Sequence, residues 1–205
     1  LYTRNGILVA QAFDPGAGTF QGDPYPIASD VIQINGTARS LFSASRTGRM
    51  TVMRGKNLSE ATTLNWVDQK GLLMEEIPEK DAFDGVVLSP DGQYIALLVY
   101  DQTATDRDIW VYEIERGFRE RFTFQDTDEG DPLWSPDGQS IYYTANPDGI
   151  YKVYRKDFGG ARRNELVFDF GVDVRIWDIS PDGKSLLYSV PAEGMDLDLW
   201  VADLG

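Results

Sequence analysis

The chain has 205 residues, with 33 acidic against 19 basic for a net charge of −14, and it contains neither Cys nor His. That charge repels polyanions, so a nucleic-acid partner is not expected. The missing residue types remove disulfides, thiol catalysis, a Ser-His-Asp triad and the usual zinc ligands. No apolar run approaches the ~20 residues of a membrane helix, so direct membrane contact is not expected. The opening LYTRNGILVAQAFD lacks a signal-peptide layout, and any export signal is expected outside these residues.

In chain order, GILVAQAFDPGAG (6–18) reads as an inner strand running into a turn. SASRTGRM (43–50) is a worn copy of a motif that returns intact downstream. TLNWVDQKG (63–71) and LLMEEI (72–77) read as two further strands. LSPDGQYIALLV then places Ser-Pro-Asp-Gly at Ser89, between GVVL and YIALLVY. DIWVYEI (108–114), a turn at ERGF, and RERFTF (119–124) follow. The acidic loop QDTDEGDP (125–132) leads to WSPDGQSIYYTA, GIYKVYRKD (149–157), FGGA (158–161) and ARRNELVFDF (161–170). ISPDGKSLLYSV and DLWVADL (198–204) close the series.

The motif serines fall at 45, 89, 135 and 180, spacings of 44, 46 and 45 residues. Such a period means a repeat architecture. Ser-Pro-Asp-Gly suits a type I turn: Pro sets its own φ, Ser or Asp bonds back to the backbone, and Gly accepts positive φ. Followed by a left-handed Gly, that turn connects a hairpin. Each repeat then holds about four short strands, which is the unit of an all-β propeller with four-stranded antiparallel blades. No segment keeps a helical period beyond about two turns, which excludes helical solenoids.

The expected division is one propeller region, with a partial blade at 1–35, full blades at 36–80, 81–126 and 127–171, and a partial blade at 172–205. Both ends fall in mid-blade, so the chain is expected to be part of a larger ring, completed by further blades or by a homodimer.

The blocks LSPDGQYIALLV, DIWVYEIERGFRERFTF and DPLWSPDGQSIYYTA resemble TolB-like β-propeller repeats. The opening half, GILVAQAFDPGAGTFQGDPYPIASDV through FSASRTGRM and NWVDQKG, resembles the propeller region of bacterial membrane-anchored serine/threonine kinases. The resemblance implies a non-catalytic module of a larger bacterial protein that binds a protein or peptide partner or senses a ligand, outside the cytoplasm and without a cofactor. The other reading it allows is the gating propeller of a prolyl oligopeptidase- or tricorn-type peptidase. No catalytic residue is assigned. The Asp157-Phe158-Gly159 triplet lies in a strand-loop and is read as coincidence with the kinase motif.

Residues that precede inner strands face the mouth of a propeller's channel. Asp84, Asp131 and Asp173 hold that place in successive repeats and are the candidate partner-binding residues, as an acidic rim for a cation or a basic peptide segment. Asp91, Asp137 and Asp182 are read as turn residues. Asp126, Asp128, Glu129 and Asp131 lack EF-hand order and are read as a solvated loop, with no metal site. Trp110, Trp134, Trp177 and Trp200 are read as packing between blades.

Overall fold

A computed structural model describes the chain except residues 35–38, 55–61, 69, 71, 101–105, 160–162 and 193–196. Parts of the turns expected at 68–71 and 158–161 lie outside the described residues, as does Arg162. The chain divides into two compact units, Leu1–Val86 and Val87–Gly205.

In the first unit, β1 (Tyr2–Arg4), β2 (Ile7–Asp14) and β3 (Thr19–Ala28) form an antiparallel sheet in that order. The opening segment was expected as half a blade, yet it pairs three strands. The cause is Asn5-Gly6, a two-residue turn with φ of 52° and 72° that folds β1 onto β2 with Arg4 opposite Ile7. β4 (Gln33–Ile34) and β5 (Arg39–Ser40) form a short ladder. β6 (Phe42–Ala44), β7 (Met50–Arg54), β8 (Thr62–Val67) and β9 (Leu73–Asp81) make a four-stranded sheet. Leu8, Ile27, Val31, Met50, Val52 and Val67 form the buried cluster of this unit.

β10 (Phe83–Leu88) crosses the division and begins the sheet β10-β11-β12-β13, with β11 (Tyr94–Tyr100), β12 (Arg107–Glu113) and β13 (Phe118–Arg121). β14 (Glu129–Trp134), β15 (Ser140–Ala145), β16 (Lys152–Asp157) and β17 (Asn164–Phe168) repeat the pattern. β18 (Arg175–Ile179), β19 (Ser185–Pro191) and β20 (Leu197–Asp203) form a three-stranded sheet. The fold is an all-β propeller with four-stranded antiparallel blades. Within the second unit β14 packs on β11 and β12, and β18 packs on β14 and β15. Ile109, Phe122, Trp134, Ile141 and Tyr143 are buried between the first pair of these sheets. Val153, Val174, Ile176 and Leu186 are buried at the next.

The three Ser-Pro-Asp-Gly corners share one hydrogen-bond scheme. Ser135 Oγ donates to Asp137 Oδ1 (2.6 Å) and accepts the Ser140 N–H (2.9 Å). Asp137 Oδ1 accepts the Gln139 N–H (3.0 Å), and Gly138 N–H closes the turn on Ser135 O (2.8 Å). Ser89 and Ser180 make the same set with Asp91 and Asp182. The corner glycines Gly48, Gly92, Gly138 and Gly183 all have positive φ, between 72° and 84°. In the worn corner Thr47 replaces Asp as partner of Ser45 Oγ (2.8 Å). The three intact corners also meet in succession, since a Cβ on Gly138 would touch Pro90 Cδ (3.8 Å) and one on Gly183 would touch Pro136 Cδ (3.9 Å). Asp91, Asp137 and Asp182 are therefore turn residues.

Trp134 is buried between sheets, with Nε1 donating to Val87 O (3.2 Å) and its ring edge-on to Phe158 (4.9 Å). Phe158, the middle of the kinase-like triplet, is thus a packing residue. Trp200 departs from the packing expectation. It is 53% exposed on β20, which has no fourth strand beside it among the described residues.

Candidate functional site

A cleft of about 50 Å³ opens in the second unit, lined by Arg107, Gly130, Asp131, Thr144, Tyr151, Val174 and Arg175. Arg107 starts β12, Gly130 and Asp131 lie early in β14, and Thr144 is near the end of β15. Tyr151 precedes β16, and Arg175 starts β18. In antiparallel blades these positions share one end, opposite the Ser-Pro-Asp-Gly corners. Three sheets therefore converge on the cleft.

Its wall is a hydrogen-bonded network. Arg107 Nε donates to Asp128 Oδ1 (2.8 Å) and Nη2 to Asp128 Oδ2 (2.7 Å), a two-point ion pair. The Arg107 backbone N–H also donates to Asp128 Oδ1 (2.9 Å). Arg107 Nη2 reaches Tyr151 Oη (3.1 Å), and the Tyr151 hydroxyl donates to Asp128 Oδ2. Asp128 N–H donates to Asn146 Oδ1 (3.0 Å). Burial works to raise the Asp128 pKa, but the hydrogen bonds from Arg107 and Tyr151 and the charge of Arg107 outweigh it and hold the carboxyl below its ordinary value. Burial first, and then the hydrogen bond to Asp128, push the Tyr151 phenol up to about 12. Arg107 and Asp128 are charged and Tyr151 is neutral at pH 7.

The floor is a β-bulge between Gly130 and Leu133, where Asp131 has φ of 48° and is 6% exposed. A left-handed non-glycine residue persists only where its surroundings hold it, and bulges re-aim side chains at sites. Gly130 is packed so closely on Thr144 that no side chain fits there. A Cβ there would lie 2.8 Å from Thr144 Oγ1 and 3.9 Å from Arg107 Nη2.

The three expected acids are placed differently. Asp131 lines the cleft. Asp173 stands at its margin, exposed, with Oδ1 accepting the Tyr151 backbone N–H (3.0 Å). Asp84 is the second residue of β10, half-buried and in the first unit, and is not part of the lining. Two arginines stand in the same lining as Asp131, so the cleft is not purely acidic.

The acidic loop 126–131 is not solvated as expected, except at Asp126. Asp128 is ion-paired, Asp131 is buried, and Glu129 is fully buried. Glu129 Oε1 accepts from Thr127 Oγ1 (2.7 Å) and Oε2 from Thr123 Oγ1 (3.2 Å). Burial, with the negative charge of Asp108 adding to it, pushes the Glu129 carboxyl up to about 8. Among the described residues no group of three or more acids is placed to hold a metal ion.

The chain is 18% identical to the putative TolB from Agrobacterium tumefaciens, with a TM-score of 0.72 over 99% of this chain and 75% of that one. With TolB from Acinetobacter baumannii the values are 17% and 0.70, over 89% of this chain and 44% of that one. The fold is that of a TolB-like β-propeller. No protein-family model matches the chain. The uncharacterized peptidase YuxL of Bacillus subtilis (strain 168) is 29% identical over 61% of this chain, which spans only 21% of that protein.

Proposed function

We propose that this TolB-like propeller is a non-catalytic binding module of a larger bacterial protein. The cleft end of the second unit's blades receives a protein or peptide partner, with Asp131 and Asp173 as the acidic part of that surface, and Asp84, in the first unit, is a separate candidate contact. The observation that supports the reading most is the convergence of three sheets on one small polar cleft with a strained Asp131 at its floor. The cleft is far below the roughly 300 Å³ of a usual small-molecule pocket, which favours reading one group of a larger ligand over enclosing a whole metabolite. The attached domain we propose is a serine/threonine kinase, with the module on the extracytoplasmic side. The kinase and the sensing role rest on the resemblance of the opening half alone. The likeness to TolB, under 25% identical, supports the fold.

A second reading has its own support in the likeness to YuxL: the gating propeller of a prolyl oligopeptidase-type peptidase, with the catalytic groups on a separate domain. Peptides selected from a random display library against the chain test the binding module. Binding that weakens at least tenfold in both Asp131→Asn and Asp173→Asn, with no turnover of peptidase, esterase or kinase substrates, supports the module. Asn tolerates the left-handed backbone at 131, so that variant removes charge and keeps the turn. Binders indifferent to both substitutions, or hydrolysis lost on a single carboxylate substitution, overturn the module.

A further inference from the structure

We propose that the cleft at Gly130 recognises a single carboxylate group, with Arg175 as its principal contact. This names the ligand chemistry of the binding-module reading and rests on it.

Asp131 and Arg107 are both already engaged within the chain, Arg107 on Asp128 and Tyr151. Arg175 is exposed and makes no side-chain hydrogen bond or ion pair among the described residues. In a chain of 33 acids and 19 bases, a cation at the rim of a built polar cleft with no partner among the described residues is unusual. Its planar fork of donors matches the two oxygens of a carboxylate.

Shape agrees. The volume of about 50 Å³ suits one small headgroup of a larger ligand. Gly130 packs its backbone closely against the Thr144 hydroxyl, and Thr144 and Arg107 line the same cleft as Arg175, a neutral donor and a second guanidinium. Charge also limits the anion. Asp128 is neutralised by Arg107, while Asp131 and Asp173 stand near Arg175, so a second negative charge on the ligand is disfavoured and a monoanion is tolerated better than a phosphate dianion. The carboxylate comes from an acidic side chain or from a chain terminus, and both sources are tested below.

The experiment is an NMR titration of the full 15N-labelled chain. The probes are N-acetyl-aspartate amide, its neutral counterpart N-acetyl-asparagine amide, N-acetylalanine with a free terminal carboxylate, and inorganic phosphate. Saturable shifts of the Gly130, Thr144, Val174 and Arg175 amides are expected with one or both carboxylates. Phosphate and the neutral amide produce none. Shifts with N-acetyl-aspartate amide alone assign the source to a side chain, and shifts with N-acetylalanine alone assign it to a terminus. Arg175→Gln weakens the response at least tenfold, and Arg175→Lys weakens it less, because Lys keeps the charge and loses the fork. An unchanged spectrum elsewhere checks that each variant is folded. Equal shifts from the neutral amide, no saturable shift from either carboxylate, or full binding by Arg175→Gln overturns the proposal. Library peptides that depend on Asp131 but not on Arg175 overturn it and leave the module standing. Carboxylate binding at Arg175 without any peptide binding sustains it while the module falls.

Discussion

At the scale of single residues, the recurring Ser-Pro-Asp-Gly is explained by what each atom does. Ser Oγ is both donor and acceptor, Asp Oδ1 collects the Ser hydroxyl and a backbone N–H, and Gly supplies the left-handed turn. Gly138→Ala is expected to destabilise the protein by about 1 kcal/mol, read from urea unfolding. The added methyl meets Pro90 only at van der Waals distance, so backbone strain rather than a clash sets the loss. Glu129 gives a pH effect of unusual sign. Its folded pKa of about 8 lies above the ordinary 4.5, so between those values the folded state holds a proton that the unfolded state has released. Stability therefore falls as pH rises from about 4.5 to 8 and levels off above. The groups facing Glu129 are Thr123, Thr127, Asp108, Arg121 and Tyr143. The depressed carboxyls Asp128, Asp137 and Asp182 act only below the ordinary carboxylate range, and the sequence has no His to titrate in the window. Glu129→Gln is expected to flatten the slope, removing ~3–5 kcal/mol of pH dependence between pH 5 and 8 in denaturant titrations. A wild-type slope that persists in the variant contradicts the assignment.

At the scale of elements, the hairpins and third strands were legible because turn chemistry and apolar runs are local. DIWVYEI (108–114) is offset from β12 by one residue, and GIYKVYRKD contains β16. The fourth strands were less so. RERFTF was expected to pair throughout, yet β13 ends at Arg121. The Phe122 and Thr123 N–H groups both turn to Ile109 O, while Lys156 Nζ takes Phe122 O (2.6 Å) and Arg121 Nε takes Thr123 O (2.8 Å). A buried lysine from the next sheet thus diverts the ladder, which no local pattern announces. The cleft was half legible. Asp131 and Asp173 were found by their place before inner strands, whereas Arg107, Thr144, Tyr151 and Arg175 are separated in sequence and meet only through blade packing. Asn5-Gly6 was a readable hairpin signal that the inner-strand reading passed over. Asp128 ties the start of β12 to the approaches of β14 and β16, so Asp128→Asn leaves Arg107 without its counter-charge. A loss of about 1–3 kcal/mol is expected in urea unfolding, with reduced amide protection at Arg107.

At the scale of the whole molecule, one blade pattern repeats along the chain, and in the second unit the strand ends opposite the Ser-Pro-Asp-Gly corners line the cleft. The net charge of −14 makes any encounter with a basic partner fall with salt, while a carboxylate contact at Arg175 depends on one local cation. β20 presents a different surface, with Leu199, Trp200 and Val201 exposed and no further strand beside it among the described residues. The account places recognition at the cleft and not at that edge. The decisive measurement is an NMR footprint of a library-selected peptide on the 15N-labelled chain. The account predicts that the perturbed amides centre on Gly130, Asp131, Thr144, Tyr151, Val174 and Arg175. Perturbations confined to β20, with those six residues unmoved at saturation, would contradict it.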